Sequence, residues 1–258
     1  MAPLKLAVLA LACAASSVQP ALAGKGGLRG LRRATPAPPS DRVRPLSTPD
    51  GRTPIHLLIS AFQDGPRCAN TIFKALQKAE HPGRVTFNVL QAAGEGDVDC
   101  KEEFRTQMLP KLCRHSNCSS KMLSRVRYWK IALEEGKGPV HQRGILSERA
   151  DISGKDSMCL STDSHMDFTK GWDRDLLADW TAADNEFAVL TSYPMSTTDE
   201  KNAGKKSWIS TCGYFLSDGV PRGATGGTMF DGQATKPKLT MNWAAGQSFA
   251  RCHAERNV

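Results

Sequence analysis

Asp163 and His165, in the string Asp163-Ser164-His165, offer a carboxylate and an imidazole separated by one residue. In a turn, such an i, i+2 pair can aim both side chains at one ion, giving one oxygen and one nitrogen. That mixed donor set suits a borderline divalent metal such as Mn²⁺ better than Ca²⁺. Two protein ligands leave coordination positions for a diphosphate, where an ion would offset the charge of a phosphate leaving group. Spacing alone is better explained by a capping Asp beside a surface His.

The elements that must carry this pair are legible in the apolar pattern. Ile55–Phe62 has the length and composition of a buried strand, and a loop containing Asp64-Gly65-Pro66 follows it. Ile72, Ala75, Leu76 and Ala79 recur at helical spacing before His81-Pro82-Gly83, and Val85–Leu90 is a second strand. Strand, helix and strand with short links imply a parallel pair and a right-handed crossover. Val126–Ile131 is predicted as extended, and a helix runs from Val140 to about Ala150 after Gly138-Pro139. Met158–Thr162 is predicted as the strand that delivers Asp163, Trp172–Ala183 as a helix, and Phe187–Thr191 as a closing strand. Beyond Tyr193-Pro194 the pattern is irregular, with loops expected around Gly223–Gly227, which lack the spacing of a phosphate-binding loop. The alternation predicts a single α/β domain, an open, mainly parallel sheet flanked by helices. Such sheets bind ligands at the carboxyl ends of their strands, where Asp163 falls.

The longer string Asp163-Ser164-His165-Met166-Asp167-Phe168, followed by Gly171-Trp172-Asp173, resembles the signature of the GlcNAc-type glycosyltransferases, the polypeptide α-N-acetylglucosaminyltransferase family. Further blocks match in order: Ser60–Asp64 with Cys68 and Thr71-Ile72, Asp99-Cys100, Gly138-Pro139 with Arg143, Ser192-Tyr193-Pro194, and Trp243–Phe249. The resemblance implies a GT-A fold, UDP-N-acetylglucosamine as donor, and transfer with retention to a polypeptide hydroxyl on Thr, Ser or hydroxyproline. It implies that Asp163 and His165 hold Mn²⁺ against the UDP diphosphate. It further implies that Asp64 contacts the uridine and that Arg143 lies near the diphosphate or donor sugar. By analogy with mucin-type polypeptide GalNAc transferases, His253 is a candidate third metal ligand. Phe62 and Gln63 depart from the family's Tyr and Arg. The family's Gly-Glu-Glu segment, expected after the Trp-x-x-Gly-x-x-Phe block, has no counterpart before Val258, so the C-terminal part reads as shortened. No residue is assigned as catalytic.

Composition narrows the class. With 258 residues, 40% hydrophobic and 23% charged, the chain is neither a polytopic membrane protein nor wholly disordered. Its formal charge of +8 is concentrated in Gly24–Thr53, where seven basic residues face only Asp41 and Asp50. The remainder is nearly balanced and has no basic patch interleaved with aromatics, so nucleic acid is not an expected partner. Lys5, the apolar stretch Leu6–Ala15 and Ala21-Leu22-Ala23 read as a secretory signal peptide over residues 1–23, with a retained signal anchor as its rival. Residues 24–53 read as a flexible basic stem that could lie near a membrane, and 54–258 as the transferase domain. The expected location is the Golgi lumen or the exterior. Seven cysteines follow the signal, an odd number; their connectivity is not readable from sequence, with Cys68 and Cys100 one candidate bridge between neighbouring strand ends. Asn117-Cys118-Ser119 is an N-glycosylation sequon.

Two rival functions stand beside the transferase. A secreted relative could bind UDP-sugar or glycan without turnover. A metallophosphoesterase also begins with Asp-x-His, but needs Gly-Asp-x-x-Asp and Gly-Asn-His further along, and neither string follows His165.

Overall fold

The computed structural model describes residues 47–152, 154, 156–192, 194, 208–217, 219–229, 237 and 243–256. Residues 1–46, with the expected signal and most of the stem, lie outside them, as does Tyr193. No helix among the described residues is long and apolar enough to cross a membrane.

The chain opens with β1 (Ile55–Phe62), α1 (Gly65–Lys78) and β2 (Val85–Ala92), the predicted parallel unit. Short helices α2 (Cys100–Glu103), α3 (Leu109–Leu112) and α4 (Ser119–Leu123) lead to β3 (Val126–Ile131). Then come α5 (Pro139–Arg149), β4 (Met158–Asp163), α6 (Trp172–Ala182) and β5 (Leu190–Thr191). A hairpin of β6 (Trp208–Ser217) and β7 (Val220–Met229) precedes β8 (Gln247–Arg251) and α7 (Cys252–Arg256). The main sheet has six strands in the order β3-β2-β1-β4-β8-β5. Its first four are parallel, while β8 runs antiparallel to both β4 and β5. This is the open, mainly parallel sheet flanked by helices that the alternation predicts.

Period-two alternation divides the apolar residues between two faces. Ile55, Leu57 and Ile59 with Val85, Phe87, Val89 and Leu160 bury against α1 and α6. Leu58, Leu90 and Cys159 bury on the other face with Leu146 of α5 and Cys252 of α7. Being an odd-numbered neighbour of Cys159 and Ser161, Asp163 emerges on the α5 face.

Several local expectations are corrected. The closing strand is only Leu190–Thr191, because the Asn185 side chain and carbonyl fold Phe187 and Ala188 into a turn, and the Ala188 carbonyl accepts from the Trp180 indole at 2.9 Å. Gly223–Gly227 lie in β7 rather than in a loop, with Gly223, Ala224 and Thr225 opposite Tyr214, Gly213 and Thr211 of β6 and a turn at Gly219 (φ 76°). Cys68 and Cys100 are bonded, but between α1 and α2 rather than strand ends. Cys113–Cys118 and Cys159–Cys252 are also bonded, and the Cys212 side chain lies outside the described residues. The end of the expected stem is docked: the Ser47 carbonyl accepts from buried Arg251 at 2.6 Å.

Candidate active site

Strand register assembles the site at the carboxyl end of β4. Asp163 lies opposite Ser60 of β1, and Thr162 lies opposite Gln247 of β8. On the α5 face, Arg143 reaches over the end of the sheet, and its Nη2 donates to Asp163 Oδ1 at 2.9 Å and to the Ala245 carbonyl at 2.8 Å. The guanidinium stands 5.8 Å from the centroid of the Trp243 ring, which is half exposed. Arg143 Nε is buried without a hydrogen-bond partner among the described residues.

The segment Trp243–Gly246 is strapped across this end of the sheet. Thr191 Oγ1 donates to the Ala244 carbonyl at 3.0 Å and accepts from the Ala244 amide at 2.8 Å. Thr162 Oγ1 donates to the Gly246 carbonyl at 3.1 Å. A Cβ at Gly246 would sit 2.7 Å from Pro194 Cδ and 3.5 Å from Asp163 Oδ2, so the missing side chain is what lets the strap pack closely on Pro194 beside the carboxylate.

Beyond Asp163 the chain turns towards the loop after β1. Gln63, in the left-handed conformation (φ 55°), breaks the line of β1 and bonds Asp97 through its amide at 3.1 Å. Asp64 follows, ahead of α1. Its Oδ1 accepts from Arg67 Nε at 2.6 Å and its Oδ2 from Ser164 Oγ at 2.8 Å. His165 Nδ1 lies 3.7 Å from the same Oδ2, at ion-pair distance but longer than a hydrogen bond. Thr71 of α1 clamps the turn: its hydroxyl donates to the Ser164 carbonyl at 2.9 Å and accepts from the Met166 amide at 2.8 Å.

Arg143 is thus paired with Asp163, and Asp64 with Ser164 and His165, the two groups joined by the Asp163-Ser164-His165 turn. His253 joins neither. Arg251 pairs with Met158, the first residue of β4, so the antiparallel course of β8 carries the chain away from Asp163. Six strand residues put that end about 17 Å distant. There His253 Nε2 lies 3.1 Å from Glu186 Oε1, its ring edge-on to Phe187. In this arrangement His253 cannot share an ion with Asp163 and His165.

The donor set fits a divalent ion of modest demands. Asp163 is 38% exposed and His165 51%, and they supply one carboxylate and one imidazole. No group of three His, Cys, Asp or Glu among the described residues is gathered to hold a metal. An ion here would draw the rest of its shell from a phosphorylated ligand and water.

The roles of Ser164, Thr71 and Arg67 were not read from sequence. Nothing in an Asp-x-His string reveals which way its middle residue points, and the contacts of Thr71 and Arg67 depend on how α1 packs. Trp243 and Gly246 did carry a signal, since both lie in a block quoted for the resemblance.

Residues 104–258, more than half of the chain, match the glycosyltransferase (GlcNAc) family. The chain belongs to that family. Its match covers α5, the Asp163-Ser164-His165 turn and the Trp243–Gly246 strap together. No curated protein matches the chain. Among solved structures it is similar to the mannosyltransferase PcManGT from Pyrobaculum calidifontis in complex with GDP-Man and Mn²⁺, at 14% identity over 57% of this chain and 38% of that one, with a TM-score of 0.37. It is also similar to the galactosyltransferase LgtC in complex with donor and acceptor sugar analogs, at 13% identity over 79% of this chain and 60% of that one, with a TM-score of 0.35. The chain thus spans less than two thirds of the length of either structure.

Proposed function

We propose that the chain is a glycosyltransferase that moves N-acetylglucosamine from UDP-N-acetylglucosamine to a polypeptide hydroxyl, with retention and with Mn²⁺ as cofactor. The observation that carries this reading is the convergence of Asp163, His165 and Arg143 at the carboxyl end of β4, inside the segment matched by the family. Asp163 and His165 would hold the ion, which when bound offsets the negative charge that builds on the UDP diphosphate as the glycosidic bond breaks. Arg143 is anchored at the Ala245 carbonyl and backed by Trp243, so its charge stands beside Asp163 and adds to the attraction for phosphate. Asp64 borders the place of the uridine. A secretory location agrees with three disulfides, which persist in oxidising compartments.

The test is incubation with radiolabelled UDP-N-acetylglucosamine, Mn²⁺ and a Thr/Pro-rich peptide. Labelled peptide that depends on Mn²⁺ is the expected result. Mn²⁺-dependent UDP binding without labelled peptide or released sugar would mark a binding protein instead, and no UDP binding would exclude both.

A further inference from the structure

Asp64 has a position that a simple contact with the nucleotide does not explain. Its side chain is only 12% exposed, and both oxygens are already engaged by Arg67 and Ser164. Ser164, itself buried, is the middle residue of the proposed metal-binding string, so Asp64 is tied to the turn that carries His165. The imidazole presents Nδ1 to Asp64 Oδ2 at 3.7 Å, which leaves Nε2 on the opposite edge of a half-exposed ring. Thr71 fixes the backbone on both sides of His165 through the Ser164 carbonyl and the Met166 amide. A carboxylate aimed at one imidazole nitrogen favours the tautomer that keeps a proton there and a lone pair on the other.

Building on the metal-dependent reading above, we infer that Asp64 is a positioning residue for His165, holding the proton on Nδ1 so that Nε2 faces the divalent ion. The device is a carboxylate–imidazole–metal relay in which the loop after β1 orients a ligand delivered by β4. Arg67 grips the Asp64 carboxylate from outside and compensates its charge, while Ser164 donates to the same oxygen that His165 faces. A loop far away in sequence thereby sets the metal affinity of the Asp163-Ser164-His165 turn.

The tautomer can be read in the metal-free full chain by long-range ¹H–¹⁵N spectra of ¹⁵N-histidine protein, with His165→Ala supplying the assignment. The parent is expected to show His165 protonated at Nδ1. Asp64→Ala is expected to shift the ring towards the Nε2–H form and to weaken Mn²⁺ binding, measured by electron paramagnetic resonance of the free ion, by about 10–100-fold. Ser164→Ala retains the carboxylate and is expected to keep the Nδ1–H form, an outcome that distinguishes orientation from general loosening of the turn. An unchanged tautomer and unchanged Mn²⁺ affinity in Asp64→Ala, with uridine binding lost in the absence of metal, would overturn the inference and leave Asp64 as a nucleotide ligand. A parent that binds no Mn²⁺ would instead overturn the metal-dependent reading beneath it, while the tautomer still reports whether the pair is formed.

Discussion

A methyl group at position 246 would collide with Pro194 next to Asp163. The closest atom it meets, Pro194 Cδ at 2.7 Å, belongs to a stiff ring, whereas Asp163 Oδ2 at 3.5 Å would be in ordinary contact. Gly246→Ala must therefore displace the strap or the proline. Overpacking of this kind costs about 1–3 kcal/mol. We expect a lower urea midpoint together with weaker Mn²⁺-dependent UDP binding; parent-like values for both would show that the strap does not set the space around Asp163. Asp163 and His165 stood out in the sequence as candidates because few residue types can hold an ion. Their partners did not, because Ser164, Thr71 and Arg67 acquire roles only through packing across 93 or more positions in the first two cases and through a helical turn in the third.

At the scale of elements, the string Gly171-Trp172-Asp173 acts as a staple between α6 and the end of α1. Gly171 takes a left-handed conformation (φ 74°), and its amide bonds the Lys78 carbonyl at 2.7 Å. The Trp172 indole donates to the Ala75 carbonyl at 2.9 Å and its ring is buried, so this aromatic is a core anchor. Asp173 is fully buried and accepts from the amides of Glu80 and His81 and from the Arg84 guanidinium. Burial alone would raise its pKa, yet those donors, the Glu80 amide and Arg84 first among them, outweigh it and hold the carboxyl below its usual range. The ionised form is thus favoured by folding. Its stabilising contribution is complete above about pH 4, the range of an unfolded aspartate, and is lost as acid titrates the folded group at lower pH. Asp173→Asn leaves the Arg84 charge buried and is expected to cost about 3–5 kcal/mol, and to flatten the acid limb of a stability–pH curve. A variant as stable as the parent near pH 7 would contradict the staple. Long strands and helices with regular periodicity, such as β1 and α5, were visible in the sequence. The short helices between Cys100 and Leu123 were not, because a four- or five-residue helix leaves too little pattern to read.

For the whole molecule, the order of strands gathers Asp163, Arg143 and the Trp243–Gly246 strap at one end of the sheet and closes the opposite end with covalent and ionic ties. Cys159–Cys252 joins β4 to the start of α7 across 93 residues, and both cysteines are fully buried. A loop of that size is worth about 4–5 kcal/mol in the chain-entropy account. Replacing both residues by Ala is expected to lower the urea midpoint accordingly, whereas a change under about 1 kcal/mol would mean that packing alone holds the two elements. The parallel half of the sheet followed from alternating elements, but the insertion of β8 between β4 and β5 did not, since antiparallel return of a distant segment leaves no local signature. That insertion also explains why His253 ends away from Asp163. The proposed activity rests on one grip, that of Asp163 and His165 on a diphosphate through a divalent ion. Calorimetric titration of the full chain with UDP, with and without Mn²⁺, tests it directly. Binding that requires Mn²⁺ in the parent and disappears in a folded Asp163→Ala variant is the predicted result; equal binding by both proteins would contradict it.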